Sequence, residues 1–200
     1  MKITKIVKIG NQDNFAIFID NKYSLNLDGE SLLHSNIALN QVISEEQLHE
    51  IKELGEYYSL YNKSINYLSN RLKSEGEIRE YLKRKNGTIA QINKIVKRLK
   101  DLDLINDQKY AISYIHDRML QTPISKRKIN FELQKRKIAK EIIVSSLAND
   151  QISDLDNLKK LVQIKRQSSR YKDNLKLMQY LVRNGFNYQD VKEILKDASV

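Results

Sequence analysis

Ser125-Lys126-Arg127-Lys128-Ile129-Asn130-Phe131-Glu132-Leu133-Gln134-Lys135-Arg136-Lys137-Ile138 decides the fold, because the same pattern of apolar residues is met twice more in the chain. Ile129 and Leu133 stand four apart, one helical turn, behind a serine suited to an N-cap. At a constant offset of 48, Tyr110, Tyr114, Ile129, Leu133, Ile138, Ile143 and Leu147 fall on Leu158, Val162, Leu177, Leu181, Phe186, Val191 and Leu195. Upstream, Ser74, Ile78 and Leu82 lie 51 residues before Ser125, Ile129 and Leu133, and Leu99 then meets Leu147 if two or three residues are inserted around Asn86-Gly87. Each unit reads helix, link, helix, link, helix over about 45 residues, a length typical of stacking helical repeats.

Start signals support this reading. Ser44-x-x-Gln47, Ser74-x-x-Glu77 and Thr88-x-x-Gln91 are capping boxes, and Asn187 precedes Asp190 in the same arrangement with the weaker Asx cap. Tyr61, Ile65, Leu68 and Leu72 form one stripe, Ile78 and Leu82 a second, and Ile92, Ile95, Val96, Leu99 and Leu102 a third. The spacing places each set on one helix face, where it serves as core.

Before Ser44 the period is two. Ile3, Lys5, Val7 and Ile9 alternate with their neighbours, Phe15-Ala16-Ile17-Phe18-Ile19 forms an apolar run, and Tyr23-Ser24-Leu25-Asn26-Leu27 resumes the alternation before Asp28-Gly29. Turn clusters at Asn11-Gln12-Asp13-Asn14 and Asp20-Asn21-Lys22 separate these runs, which predicts a three-stranded antiparallel meander leaning its apolar face on the helices that follow. The expected architecture is mainly α: a β-rich segment over 1–43, a lead helix and first repeat over 44–106, a second repeat over 107–150 and a third over 151–200, the three repeats forming an elongated, curved stack.

Composition narrows the chemistry. The 200 residues include no cysteine, so thiol catalysis, disulfides, iron–sulfur clusters and zinc–thiolate sites are excluded. His34, His49 and His116 fall in no metal-binding spacing, and the six glycines are too scattered for a phosphate loop. No nucleophile, base and orienter converge, so neither an enzyme nor a cofactor is expected. The N-terminus alternates rather than forming an apolar block, and no stretch approaches the length of a membrane span, which points to a cytoplasmic, non-membrane protein.

Charge carries the positive signal. The net charge is +10, yet residues 1–55 hold five Lys/Arg against eight Asp/Glu, leaving thirty against seventeen for the remainder. A long cationic C-terminal part suits a polyanionic partner. Lys83-Arg84-Lys85 ends the middle helix of the first repeat, and Lys135-Arg136-Lys137 occupies the equivalent place in the second. Lysine at a helix C-terminus also suits the macrodipole, whereas Lys126, Arg127 and Lys128 open their helix against it.

Together these residues resemble a known family. Arg71-x-x-Ser74-x-x-Glu77-Ile78-x-x-x-Leu82-x-x-Lys85 is followed by Val96-x-x-Leu99-x-x-Leu102-x-Leu104-Ile105-Asn106-Asp107-x-x-Tyr110-Ala111-x-x-Tyr114-Ile115-x-Asp117-Arg118, and then by Lys126-Arg127-Lys128-Ile129-x-x-Glu132-Leu133-x-x-Arg136-Lys137-Ile138. This order and spacing is similar to the RecX regulatory proteins of bacteria, and the β-rich start resembles the N-terminal extension of members from low-GC Gram-positive bacteria. The family pattern often has glycine before the basic run and before the residue matching Ile138, where this chain has Ile124-Ser125 and Lys137. The resemblance implies a non-enzymatic regulator in DNA repair, recombination and the SOS response. Such a protein binds the RecA nucleoprotein filament on single-stranded DNA and restrains recombinase and coprotease activity. A monomer is expected, with a basic face of Lys83, Arg84, Lys85, Arg118, Lys126, Arg127, Lys128, Lys135, Arg136 and Lys137. The alternatives are a sequence-independent binder of bare DNA and a basic helical protein–protein adaptor. The tyrosines Tyr61, Tyr110 and Tyr114 fall on apolar stripes rather than interleaving with cations, which argues against the first of these.

Overall fold

A bulge near its start sets the facing of the first strand, β1 (Ile3–Ile9). The computed structural model describes residues 1–10, 13–148 and 153–197, and it places β1, β2 (Asn14–Ile19) and β3 (Lys22–Asp28) in an antiparallel sheet in that order. The register between β1 and β2 shifts between Ile3 and Lys5, and one extra residue inverts the side-chain parity beyond it. Ile3 and Ile6 therefore join the core, whereas Ile9, expected to follow Ile3 inward, is exposed, as is Lys5. Asn11 and Gln12 of the first turn cluster lie outside the described residues.

The chain divides into two compact units, Met1–Arg71 with Ile78–Leu102, and Leu72–Glu77 with Asp103–Val200. In the first, the sheet packs Ile3, Ile17, Ile19 and Leu27 against Ile43 and Ile51, with Leu48 beside them. A short helix that the strand pattern did not reveal, α1 (Gly29–Ser35), follows β3 directly. Asp28 caps it, accepting from the Ser31 N–H at 2.8 Å and the Ser31 hydroxyl at 2.6 Å, and also accepts from Asn62 Nδ2 at 2.8 Å. The expected lead helix is α2 (Glu45–Leu68), opened by the Ser44–Gln47 capping box and burying Ile51, Tyr57, Tyr58, Leu60 and Tyr61. It ends before Leu72, which is exposed rather than part of the Tyr61 stripe. The Thr88–Gln91 box opens α4 (Ile89–Asp101), whose C-cap Leu102 is likewise exposed.

The middle helices α3 (Glu75–Arg84), α6 (Lys126–Lys135) and α9 (Asn174–Arg183) end alike. Asn86, Lys137 and Gly185 take φ of 63°, 63° and 88°. The following N–H reaches back to the last core leucine in each case: Gly87 to Leu82 O at 3.0 Å, Ile138 to Leu133 O at 3.3 Å and Phe186 to Leu181 O at 3.3 Å. This is the Schellman closure, so Lys137 adopts the left-handed turn that glycine would supply more cheaply.

These caps also correct the repeat register. Asn86, Lys137 and Gly185 are spaced 51 and then 48 apart, so the first repeat keeps its offset of 51 through the link and needs no insertion. Ile92 meets Ile143 and Val96 meets Leu147, while α4 runs one turn longer than α7 (Lys140–Ala148). The first helices, α5 (Asp107–Gln121) and α8 (Asp154–Arg166), align at 47 by their caps Asn106 and Ser153. Ala111 and Ile115 then meet Leu158 and Val162, all buried. In the second unit one core gathers Ala111, Ile115, Ile129, Leu133, Ile143 and Leu147; another gathers Leu158, Leu161, Leu177, Leu181, Phe186 and Leu195, with Val191 of α10 (Tyr188–Asp197). Asn187 accepts from the Gln189 N–H at 2.8 Å at the start of α10. The repeat boundary expected at 150/151 lies outside the described residues.

Candidate nucleic-acid interface

Helix α6 has two opposite faces. Ile129 and Leu133 are fully buried, and at about 100° per residue the side diametrically opposed to them carries Arg127, Phe131 and Lys135, with Lys128 at its margin. Arg127, Phe131 and Lys135 are exposed, whereas Lys126 and Lys128 are half-buried.

The first turn of α6 holds three cations and no acid, while α3 opens with Glu75 and Glu77. Two of its leading backbone donors already have partners. Ser125 Oγ accepts from the Lys128 N–H at 3.1 Å, and Asp154 Oδ1 accepts from the Lys126 N–H at 2.8 Å. The Asp154 carboxylate gives the turn some of the negative charge that a helix start favours.

Arg118 and Arg136, among the expected site residues, are held by side chains of the protein itself. Arg118 makes a bidentate pair with Glu132 through Nε at 2.9 Å and Nη2 at 3.1 Å, and Tyr114 donates its hydroxyl to the same carboxylate at 2.7 Å. Arg136 donates from Nε to the Tyr110 hydroxyl at 2.9 Å and from Nη1 to Glu132 O at 3.2 Å, with its guanidinium 4.5 Å from the Tyr114 ring centre. Burial, reinforced by the hydrogen bond to Glu132, pushes the Tyr114 phenol up to about 12. Burial would raise Glu132, but the hydrogen bonds from Arg118 and Tyr114 outweigh it and hold the carboxyl below its ordinary value. Arg118 is raised in turn, chiefly by its hydrogen bond to Glu132.

Lys83, Arg84 and Lys85 end α3 in the first unit, all exposed. Lys85 lies 5.7 Å from the centre of Tyr81, whose ring stacks on Tyr67 at 4.1 Å. By cap position Lys85 corresponds to Arg136 and Asn86 to Lys137, so the two basic runs are equivalent with a displacement of one residue. The first unit also holds a cation–aromatic group that the sequence did not reveal. Arg98 pairs with Glu30 at 2.8 Å and lies 4.1 Å from the Tyr61 ring centre, and Lys94 lies 4.7 Å from that of Tyr57. The Arg98 guanidinium is raised above its ordinary value by hydrogen bonds to Tyr57, Glu30 and Tyr58, against the opposing effect of burial. Among the described residues no three potential metal ligands gather, and no helix is long and apolar enough to cross a membrane.

Comparison with known proteins shows the family of the chain. The RecX first three-helix domain matches residues 61–99 and the RecX second three-helix domain matches residues 106–147. A Regulatory protein RecX from Listeria welshimeri is 33% identical over all of this chain and 75% of its own length. The chain belongs to the RecX family. A RecX relative from Caldanaerobacter subterraneus is 29% identical, with 98% of each chain covered. A crystal structure of regulatory protein RecX shares the fold with a TM-score of 0.74 at 24% identity, covering 98% of each chain. That of RecX from Lactobacillus salivarius gives 0.59 at 26% identity over 70% of this chain and 95% of its own. RecX is thus a regulatory rather than an enzyme family, and its two matched domains span α3 and α6.

Sequence reasoning passed over Phe131. The signal was present, since a residue two places after Ile129 lies about 200° around the helix from it and so faces away from the core.

Proposed function

We propose that this chain is a non-enzymatic cytoplasmic regulator, acting as a monomer, that binds RecA nucleoprotein filaments on single-stranded DNA and restrains recombinase and coprotease activity. The observation carrying this reading is the first turn of α6. Lys126, Arg127 and Lys128 oppose the helix dipole while the turn's cap and first N–H are already satisfied by Ser125 and Asp154. Cations placed against the local field serve an anion outside the fold. Lys83, Arg84 and Lys85 in the first unit and Lys135 and Lys137 in the second supply further exposed charge, and Arg118 and Arg136 brace α6 within the second.

Charge reversal tests this. K126E/R127E/K128E should lose inhibition of filament-dependent ATP hydrolysis by the recombinase while melting no lower than the parent, since carboxylates suit a helix start. If the contacts are to phosphates, each one lost should reduce the log–log salt slope by roughly 0.7 to 0.9. Loss of filament affinity with unchanged affinity for bare single strands would place the contacts on acidic protein groups instead. Full inhibition by the reversed variant overturns the reading.

A further inference from the structure

We propose that Phe131 is a stacking platform for one base of a single-stranded nucleic acid, with Arg127, Lys128 and Lys135 engaging the neighbouring phosphates. The inference deepens the DNA-binding part of the function proposed above and rests on it. Phe131 is 50% exposed, on the side of α6 opposite Ile129 and Leu133, and takes no part in the core around them. The fold does not require an aromatic there. By cap register the same position is Glu80 in α3 and Gln179 in α9.

Its surroundings select the ligand. Lys135 Nζ lies 4.6 Å and Lys128 Nζ 6.0 Å from the ring centre, and Arg127 is one turn before it on the same face. Arg127 and Lys135 are therefore about 12 Å apart along the helix axis, with the ring midway between them. An apolar protein surface docking on the ring would have to strip water from these cations, a cost without return. A nucleotide brings both complements: a π face for the ring and a negative charge for its flanks. In a duplex the base faces are already stacked, so the platform suits a single strand.

The chain has no tryptophan, so F131W introduces a sole tryptophan reporter, excited selectively over the tyrosines. F131W, F131A and the parent would be titrated with an oligothymidylate of about 16 nucleotides, with an abasic strand of equal length and with a duplex. Oligothymidylate should quench F131W and the abasic strand should not. F131A should bind oligothymidylate roughly 5- to 100-fold more weakly than the parent while keeping its affinity for the abasic strand. Equal affinity of F131A and parent for oligothymidylate, or equal quenching by the abasic strand, overturns the platform. Filament inhibition is read separately. If F131A behaves as expected and K126E/R127E/K128E still inhibits the recombinase, the platform stands and the regulatory reading falls. If F131A binds like the parent and the charge-reversed variant has lost inhibition, the opposite holds.

Discussion

Ser125 gives its hydroxyl proton to the backbone carbonyl of Asn184, the C-cap of α9, at 2.6 Å, while accepting from the N–H of Lys128. Ser74 does the same to the carbonyl of Arg136, the C-cap of α6, at 2.6 Å while accepting from Glu77. Both serines are fully buried. A second contact accompanies each: the Glu75 N–H donates to Asp107 at 2.8 Å, as the Lys126 N–H does to Asp154. S125A and S74A each leave a half-buried carbonyl and a helix start without their partner. Each should lower stability by about 1–3 kcal/mol in chemical denaturation, and S125T should lose less than S125A.

Gly76 and Lys137 form a matched pair. A Cβ on Gly76 would overlap the Cβ of Lys137 and come within 3.0 Å of Arg136 O. At the following junction the order is reversed, Arg127 standing where Gly76 does and Gly185 where Lys137 does. K137G relieves the left-handed φ and should stabilise by about 1 kcal/mol. G76A should destabilise by about 1–3 kcal/mol, and the double variant should recover part of that loss. A double-mutant cycle by urea denaturation with no coupling between the two sites would contradict this pairing.

The Glu132 carboxyl, lowered on folding, stabilises the second unit above its unfolded pKa, and that contribution is lost as pH falls through the folded value. The unfolded value is about 4.3. E132Q should therefore cost about 1–2 kcal/mol at pH 7, and the gap to the parent should close as both are taken below pH 4. Melting temperatures of the two proteins between pH 3 and pH 7 check the sign.

A fragment beginning at Ser44 should stay predominantly helical. Its second unit has cores of its own, around Ile129 and around Leu177, that use no residue of the sheet. Leu48 and Ile51 of α2 lose Ile3, Ile17 and Leu27, so amide exchange should accelerate in the first half of α2 and remain slow in α6 and α9. Loss of helical circular dichroism throughout would make the sheet integral to the whole chain.

Helices with a cap and a stripe were readable in advance: α4 begins after Thr88 and α6 after Ser125, as their side chains dictate. What escaped depended on contacts that local pattern does not encode. The bulge in β1 follows from pairing with β2 and reversed the expected facing of Ile9. Helix α1 is too short for periodicity to register and is fixed by Asp28, which also binds Asn62 far along the chain. At the site, a list of basic residues could not separate Arg118 and Arg136 from their neighbours, because Glu132, Tyr110 and Tyr114 claim them only once α5 and α6 pack together.

The caps of the three middle helices differ in how many bonds each side chain can form. A serine hydroxyl is bifunctional, and at Ser74 and Ser125 one end closes its own helix while the other grips a carbonyl of the next repeat. The third position is Asp173, which accepts from Leu175 at 2.8 Å and Lys176 at 3.2 Å. A carboxylate accepts but has no proton to give. It caps its helix as well as serine does, yet a further repeat docked in the same manner would set oxygen against oxygen. Asp173 thus acts as a monofunctional unit does in a polymerisation, completing its own link while offering none onward, and a longer array would have to begin with its replacement by serine.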